Sequence, residues 1–354
     1  MLNLGAISNF YIFTIIMKKL FLVFIAVFSF IAQVSAQSSM LATLNHEGNI
    51  STFYGTTALR EAHAAAVHGD VITLSSGSFV STDITKAITL RGTGMELDAI
   101  HGIEPTVITG NFTINISDSI EHRLTIEGIY NNHSIYYRGV LKNAIFLKNR
   151  FYNFDADESN HPTHGVLNNA TFIHCRIARA LRLAANSSAS CLNCIIGNIV
   201  SYDGITSNYE LFNCVILDDL GNLSSSTLKN CIIVNKDSYD FLNSSCMAYN
   251  CIGVYYQTFA NIPNSTNSTI GDLTTIFKTY NGGILEQHDN ENFELTDEVK
   301  AKYLGMDGTQ VGIYGGFLPF TAVTTNPQIT KCNVAAKSTA DGKLSVDIEV
   351  KAAE

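Results

Sequence analysis

The sequence has no tryptophan and only five prolines in 354 residues, and charged residues make up 15% of it. Long solvated helices and disordered tails draw heavily on Glu, Lys and Arg, so a chain this poor in charge excludes both over most of its length. Basic residues are outnumbered 22 to 31, giving a formal charge of −9. That deficit excludes a general nucleic-acid binder, which needs basic surface to displace phosphate counterions. It also opposes capture of acidic polysaccharides, except along a local basic strip. No Gly-rich phosphate loop, nucleotide fingerprint or Ser-His-Asp arrangement stands out. A single Cys-x-x-Cys, Cys191 to Cys194, lacks the second Cys or His pair that a zinc site requires.

What the chain does have is a repeat. Leu192-Asn193-Cys194-Ile195-Ile196, Phe212-Asn213-Cys214-Val215-Ile216, Lys229-Asn230-Cys231-Ile232-Ile233 and Tyr249-Asn250-Cys251-Ile252 follow one another at intervals of 17 to 20 residues. His174-Cys175-Arg176-Ile177 and Lys148-Asn149-Arg150-Phe151 are irregular relatives upstream. A short period with tolerant spacing marks a stacked repeat, whose insertions bulge outward as loops. Each unit is a β-favouring run too short for a helix. Leu228 is expected to point inward, Lys229-Asn230 to form a tight corner, and Cys231 and Ile233 to point inward again. Asn suits the corner because it tolerates left-handed backbone. Stacking then places Asn193, Asn213, Asn230 and Asn250 in a ladder of hydrogen-bonded amides. A coil of about 20 residues per turn is a parallel β-helix.

The chain opens with an address. Met17-Lys18-Lys19 gives a positive start, Leu20 to Ile31 is apolar, and Val34-Ser35-Ala36 fits cleavage before Gln37. Met1–Ala36 therefore reads as a signal peptide, with Met17 an alternative start, and no stable membrane insertion is expected after its removal. Eight cysteines in an exported chain first suggest disulfides. Parallel rungs about 4.8 Å apart suit a disulfide poorly, since it wants converging Cβ atoms about 3.8 Å apart. Buried thiols are expected instead, with Cys191–Cys194 and Cys246–Cys251 the pairs nearest to bridging.

Thr57 to Val67 is the one convincing helix, with Thr56 or Thr57 as cap. Lying across the first rung, it would cover an open sheet edge. Here the sequence resembles a known family. Ala58-Leu59-Arg60-Glu61-Ala62, Gly69-Asp70-Val71-Ile72-Thr73-Leu74 and Gly77-Ser78-Phe79 look like the entry of pectin-lyase-like right-handed β-helix proteins. Ile88 to Gly92, Thr106 to Gly110 and Leu124 to Ile129 continue as early rungs. Asn292-Phe293-Glu294-Leu295 and Gly305 to Gly312 are similar to the closing rung of many exported bacterial members. The resemblance covers roughly Thr56 to Gly316 and implies the fold more than any activity, because such scaffolds host lyases, hydrolases, adhesins and stalks.

The chain is thus expected to be all-β, a right-handed parallel β-helix over residues 37–316 with an N-terminal capping helix. Gln328 to Ala336 and Lys343 to Ala352 alternate around Asp341-Gly342, predicting a β-hairpin within 317–354 that caps the far end or forms a small appended unit.

Loops between rungs carry function in such folds. The longest, Asn153 to Gly165, holds Asp155, Asp157 and Glu158, whose carboxylates could ligate calcium. Lys148, Arg150 and Arg176 lie on neighbouring rungs. The resemblance implies lyase chemistry for such a set: a metal neutralises a uronate carboxylate and a Lys or Arg removes the C5 proton. Arg179 and Arg182, with Tyr152, could instead bind an anionic sugar. Asp218-Asp219 resembles the paired aspartates of β-helix polygalacturonases, but their companion motifs are missing. Tyr130, Tyr136, Tyr137, Tyr255 and Tyr256 are further stacking candidates. The leading expectation is an exported, non-catalytic protein, periplasmic, secreted or at the cell surface. It would bind carbohydrate or a cell-surface partner along a groove, with no cofactor. A calcium-dependent polysaccharide lyase and a structural spacer or adhesin are the alternatives.

Overall fold

The computed structural model describes residues 40–100, 102–117, 121–156, 165–201, 207–218, 223–235, 242, 244–255, 258–260, 262, 264–279, 291–324, 328–334, 338 and 341–351. Chain contacts separate Met1–Ser39, which includes the expected signal peptide, from Met40–Glu354. Among the described residues no helix is long and apolar enough to cross a membrane.

Met40–Glu354 is an all-β solenoid of about eight turns with 7% helix. Each turn lends one strand to a twelve-stranded sheet and one to an eleven-stranded sheet, and successive turns pair in parallel. Phe146, Phe172, Cys191, Leu211, Leu228 and Ala248 align rung over rung in the first sheet. All are fully buried. Phe146 and Phe172 stack at 4.7 Å between ring centroids, and Phe154 meets both edge-on.

The corner between the sheets explains the repeat. Lys148, His174, Asn193, Asn213, Asn230 and Asn250 all have φ between 50° and 56°. Side-chain-bearing residues rarely adopt this region, and Asn does so most easily. The next position, at Cys175, Cys194, Cys214, Cys231 and Cys251, turns into the core. These thiols are free and buried, as expected. Cys214 Sγ donates to the Cys191 carbonyl and Cys231 Sγ to the Leu211 carbonyl, both at 3.3 Å. Burial holds the thiols of Cys194, Cys214, Cys231 and Cys251 well above their usual pKa.

The asparagines stack, but their amides do not chiefly bond one another. Asn230 Nδ2 donates to Asn213 Oδ1 at 3.3 Å. Most of the remaining bonds go to a strap, Leu304 to Thr324, that runs back along the corner toward the N-terminal turns. Asn250 Nδ2 donates to the Leu304 carbonyl, the Met306 amide to Asn230 Oδ1, and Asn213 Nδ2 to the Gly312 carbonyl. Asn193 Nδ2 reaches the Ile313 and Gly315 carbonyls at 2.7 and 2.8 Å. His174 Nε2 meets the Leu318 carbonyl, Lys148 Nζ the Val323 carbonyl, and Thr324 Oγ1 the Thr93 carbonyl. The strap lies so close to the corner that a Cβ on Gly315 would stand 2.6 Å from Asn213 Nδ2.

The C-terminal part also covers the outside of the second sheet. Ile195, Val215, Ile232 and Ile252 form an outward column. They pack under Ile276, Phe277, Phe293, Val311 and Ile313 in a second core. Strands buried on both faces read as continuous apolar runs, hence Cys-Ile-Ile and Cys-Val-Ile. Gln328–Val334 and Val346–Lys351 pair as the expected hairpin, a two-stranded sheet of its own.

At the N-terminal end, β1 (Leu41–His46) and β2 (Asn49–Tyr54) form a hairpin that extends the first sheet antiparallel, a feature the sequence reading did not anticipate. Its turn, Glu47-Gly48, has φ of 49° and 89°. The helix α1 (Ala58–Ala65) covers the first turn as expected, burying Ala58, Leu59, Ala62 and His63. Thr57 stands at its N-cap, yet its hydroxyl accepts no backbone N–H and instead donates to the Glu61 carboxylate.

Replacing Asn193 with Ala forces left-handed backbone on a residue that resists it and removes two bonds to the strap. A loss of about 2–4 kcal/mol is expected by urea unfolding, whereas Asn193→Gly recovers about 1 kcal/mol of backbone strain.

A second expectation concerns acid. Burial, aided by Lys86, pushes His63 down to about 4, and its Nε2 accepts the Thr85 amide at 3.2 Å. Burial likewise lowers His174. A lowered imidazole leaves the unfolded chain binding more protons, so stability should fall as pH drops from about 6.5 to about 4. The hydrogen bond to Asp70 raises His46 and acts oppositely, adding stability that is lost as pH rises through its folded value. Thermal melts across this window should flatten in His63→Gln; an unchanged slope would refute the assignment.

Candidate functional site

The outward column of the second sheet changes character along its length. From Ile252 back to Ile195 it is apolar and covered; it then continues as Arg176, Arg150, Tyr130 and Val107. Cover of the outer face ends at this change, while the strap continues along the corner to Val323 and Thr324. Phe320 lies 5.8 Å from the Arg176 guanidinium, and Arg176 Nη2 donates to the Glu291 carbonyl at 3.1 Å. Beyond it, the strands Ile129–Arg138, Arg150–Asp155 and Arg176–Leu183 present a half-exposed outer face.

That face consists of tyrosine and arginine. The Arg150 guanidinium lies 4.8 Å from the centre of the Tyr130 ring. Arg179 is exposed, lies 5.9 Å from the Tyr152 ring and donates to its hydroxyl at 3.4 Å. Next along the strands, Tyr136, Asp155 and Arg182 stand in register. Arg182 Nη1 donates to Asp155 Oδ2 at 2.7 Å, with the carboxylate almost wholly buried. A bend between Phe151 and Asn153, matched on both neighbours, separates the two columns. An aromatic ring and a guanidinium side by side can stack on a sugar face while bonding an anionic substituent.

The sequence-derived residues divide sharply. Tyr152 and Arg179 come together, as do Arg182 and Asp155. Lys148 does not join them: its ammonium is buried at the corner, 2.6 Å from the Val323 carbonyl, and burial lowers its pKa. Arg150 faces outward on the Tyr130 ring, while Arg176 is buried beneath Phe320. Asp157 and Glu158 lie outside the described residues, as do Asp219 and Tyr256, so Asp155 is the described member of the calcium set. Among the described residues no group of three or more His, Cys, Asp or Glu is placed to hold a metal ion. Tyr137 is fully buried, its hydroxyl donating to the Arg182 carbonyl, and is a core residue. Tyr255 is half-exposed on the C-terminal turns, away from this face. Tyr130 and Tyr136 belong to the site; the signal for both is their alternation within one strand.

Comparison of the chain with protein-family models, curated proteins and solved structures finds no match.

Removing Arg182 withdraws the guanidinium that compensates a buried carboxylate. Arg182→Ala should cost about 1–3 kcal/mol in unfolding experiments, and Asp155→Asn should restore part of that loss in the double variant. Arg179→Ala, at an exposed position, should cost under about 0.5 kcal/mol.

Proposed function

We propose that this chain is an exported, non-catalytic β-helix protein of the pectin-lyase-like type that binds an anionic glycan on the outer face of its second sheet. The observation that carries the proposal is the pairing of tyrosine rings with guanidinium groups across neighbouring turns, Tyr130 with Arg150 and Tyr152 with Arg179. Successive turns are about 4.8 Å apart, close to the rise of one sugar, so a chain laid along the solenoid meets a ring or a cation at each step. The face is a local basic strip on an acidic protein, the arrangement that electrostatic capture requires here.

Binding is favoured over lysis by what the other basic groups already do. Lys148 Nζ and Arg176 Nη2 are committed to backbone carbonyls of the C-terminal segment, and Asp155 to Arg182. A proton-abstracting base needs an open approach to the sugar, which the burial of Lys148 and Arg176 denies.

The test uses the chain from Gln37, titrated by calorimetry with uronate-containing, sulfated and neutral polysaccharides. Arg179→Ala should weaken binding of an acidic polymer about tenfold or more with unfolding almost unchanged. Tyr152→Ala should weaken it too, at some cost in stability because its ring packs against the second core, and added salt should weaken it further. Binding that ignores these changes sinks the proposal. Ultraviolet absorbance from unsaturated uronates, dependent on calcium, would establish the lyase instead.

A further inference from the structure

Among the described residues the strand β2 is an end member of the twelve-stranded sheet, paired with β1 alone. The two-residue turn sets His46 opposite Asn49, so the pairs that exchange bonds with β1 are His46/Asn49, Leu44/Ser51 and Ala42/Phe53. The backbone N–H and C=O groups of Ile50, Thr52 and Tyr54 therefore point to the open edge. Ile50 is 69% and Tyr54 61% exposed. Sheet edges are ordinarily blunted by Lys, Pro, a bulge or short length. Asn49-Ile50-Ser51-Thr52-Phe53-Tyr54 has no charge and no proline, and its six residues pair without a register shift.

We infer that β2 is the docking edge for a second copy of this chain, pairing antiparallel with its counterpart across a twofold axis at Thr52. The sequence is self-complementary in that register. Thr52 lies opposite Thr52 of the partner subunit, and Ile50 opposite Tyr54 of the partner subunit, twice over. The residues that meet are those whose backbone groups face outward, so the pairing closes about six backbone hydrogen bonds. Each aromatic–β-branched pair adds a favourable cross-strand contact, and no like charges oppose. A second copy fits better than an unrelated strand because one twofold satisfies both edges at once. Phe53 packs toward the core from the opposite face and is not disturbed.

Sedimentation velocity of the chain from Gln37 over a range of concentrations is the test. A monomer–dimer equilibrium is expected. Thr52→Pro deletes an edge N–H that β1 does not use, and Ile50→Lys removes the β-branched member of both Ile50–Tyr54 pairs and sets a charge on each edge; each should raise the dissociation constant about tenfold or more. Because proline could also disturb the hairpin, the lysine variant carries the test if thermal unfolding of Thr52→Pro shifts. Thr52→Cys should form a covalent dimer on mild oxidation, its Cα atoms lying about 5.5 Å apart. A monomer at every concentration, or a dimer that survives Ile50→Lys without cross-linking through Thr52→Cys, overturns the inference.

Discussion

Once per turn the chain must pass from one sheet to the other through a residue of left-handed backbone, and much of the molecule follows from that constraint. It selects Asn at five turns (Asn193, Asn213, Asn230, Asn250 and Asn267), His174 and Lys148 at two more, and Gly128 before them. The corner leaves a file of polar side chains half-sunk between two sheets, where unbonded amide and imidazole groups would be costly. The strap supplies their partners from its own backbone, so neither the file nor the strap satisfies its hydrogen bonds alone. A solenoid is ordinarily stabilised between nearest neighbours. Here residues near 304–324 bond to turns beginning as early as Thr93, which makes the assembly non-local. Folding then closes very long loops, which favours slow, cooperative completion over rung-by-rung growth.

The same C-terminal segment decides where a ligand can meet the second sheet. It covers the outward column as far as Arg176 and beyond that keeps to the corner, leaving the outer faces of Arg150 and Tyr130 half-exposed. Guanidinium groups suit such a boundary because they lie flat on aromatic rings while keeping donors at the edge. Asp155 does not make the face acidic, since its carboxylate is buried beneath Arg182. The open half of the sheet thus carries positive charge on a protein that is negative overall, and salt would screen that contrast within about 10 Å at 0.1 M.

The fold was legible because the repeat states it. Asn marked the corner, Cys the core position after it, and alternation in Leu228, Cys231 and Ile233 assigned the inward face correctly. The same alignment held information about the site. His174 aligns with the Asn column and so belongs at the corner; Lys148 stands there too, one residue before the Asn149 that the repeat aligned with it, because Leu147 lies over Ile173. Arg150 and Arg176 occupy the column of Ile195 and Val215. That column being apolar at Ile195, Val215, Ile232 and Ile252 requires a cover, since a solenoid's outer face is otherwise wet. What covers it was not legible. The strap bonds through its own carbonyls and amides, which leave no side-chain pattern, and its glycines read equally well as a closing rung. The hairpin of β1 and β2 was missed for a related reason: Glu47-Gly48 is a weak turn signal, and five of the six residues in β2 are exposed.

The two ends of the solenoid are finished in different ways, and this bears on the binding face. Toward the C-terminus the last strand of the first sheet has only three residues, and one three-residue strand of the second sheet, Thr269–Gly271, leads into the helix Leu273–Ile276. Toward the N-terminus the sheet gains two antiparallel strands and ends in a longer, uncharged edge. The Arg150 turn lies five strand spacings from β2 in the sheet order, or about 24 Å. Pairing through β2 would hold two Tyr–Arg faces within about 50 Å of each other, related by a twofold axis. A polysaccharide long enough to reach both would rebind one face before leaving the other, so weak single contacts could sum to firm attachment. Two tyrosine–arginine pairs on each copy would suit that mode of binding, because the proposed edge pairing would supply the avidity that a deep pocket would otherwise have to provide.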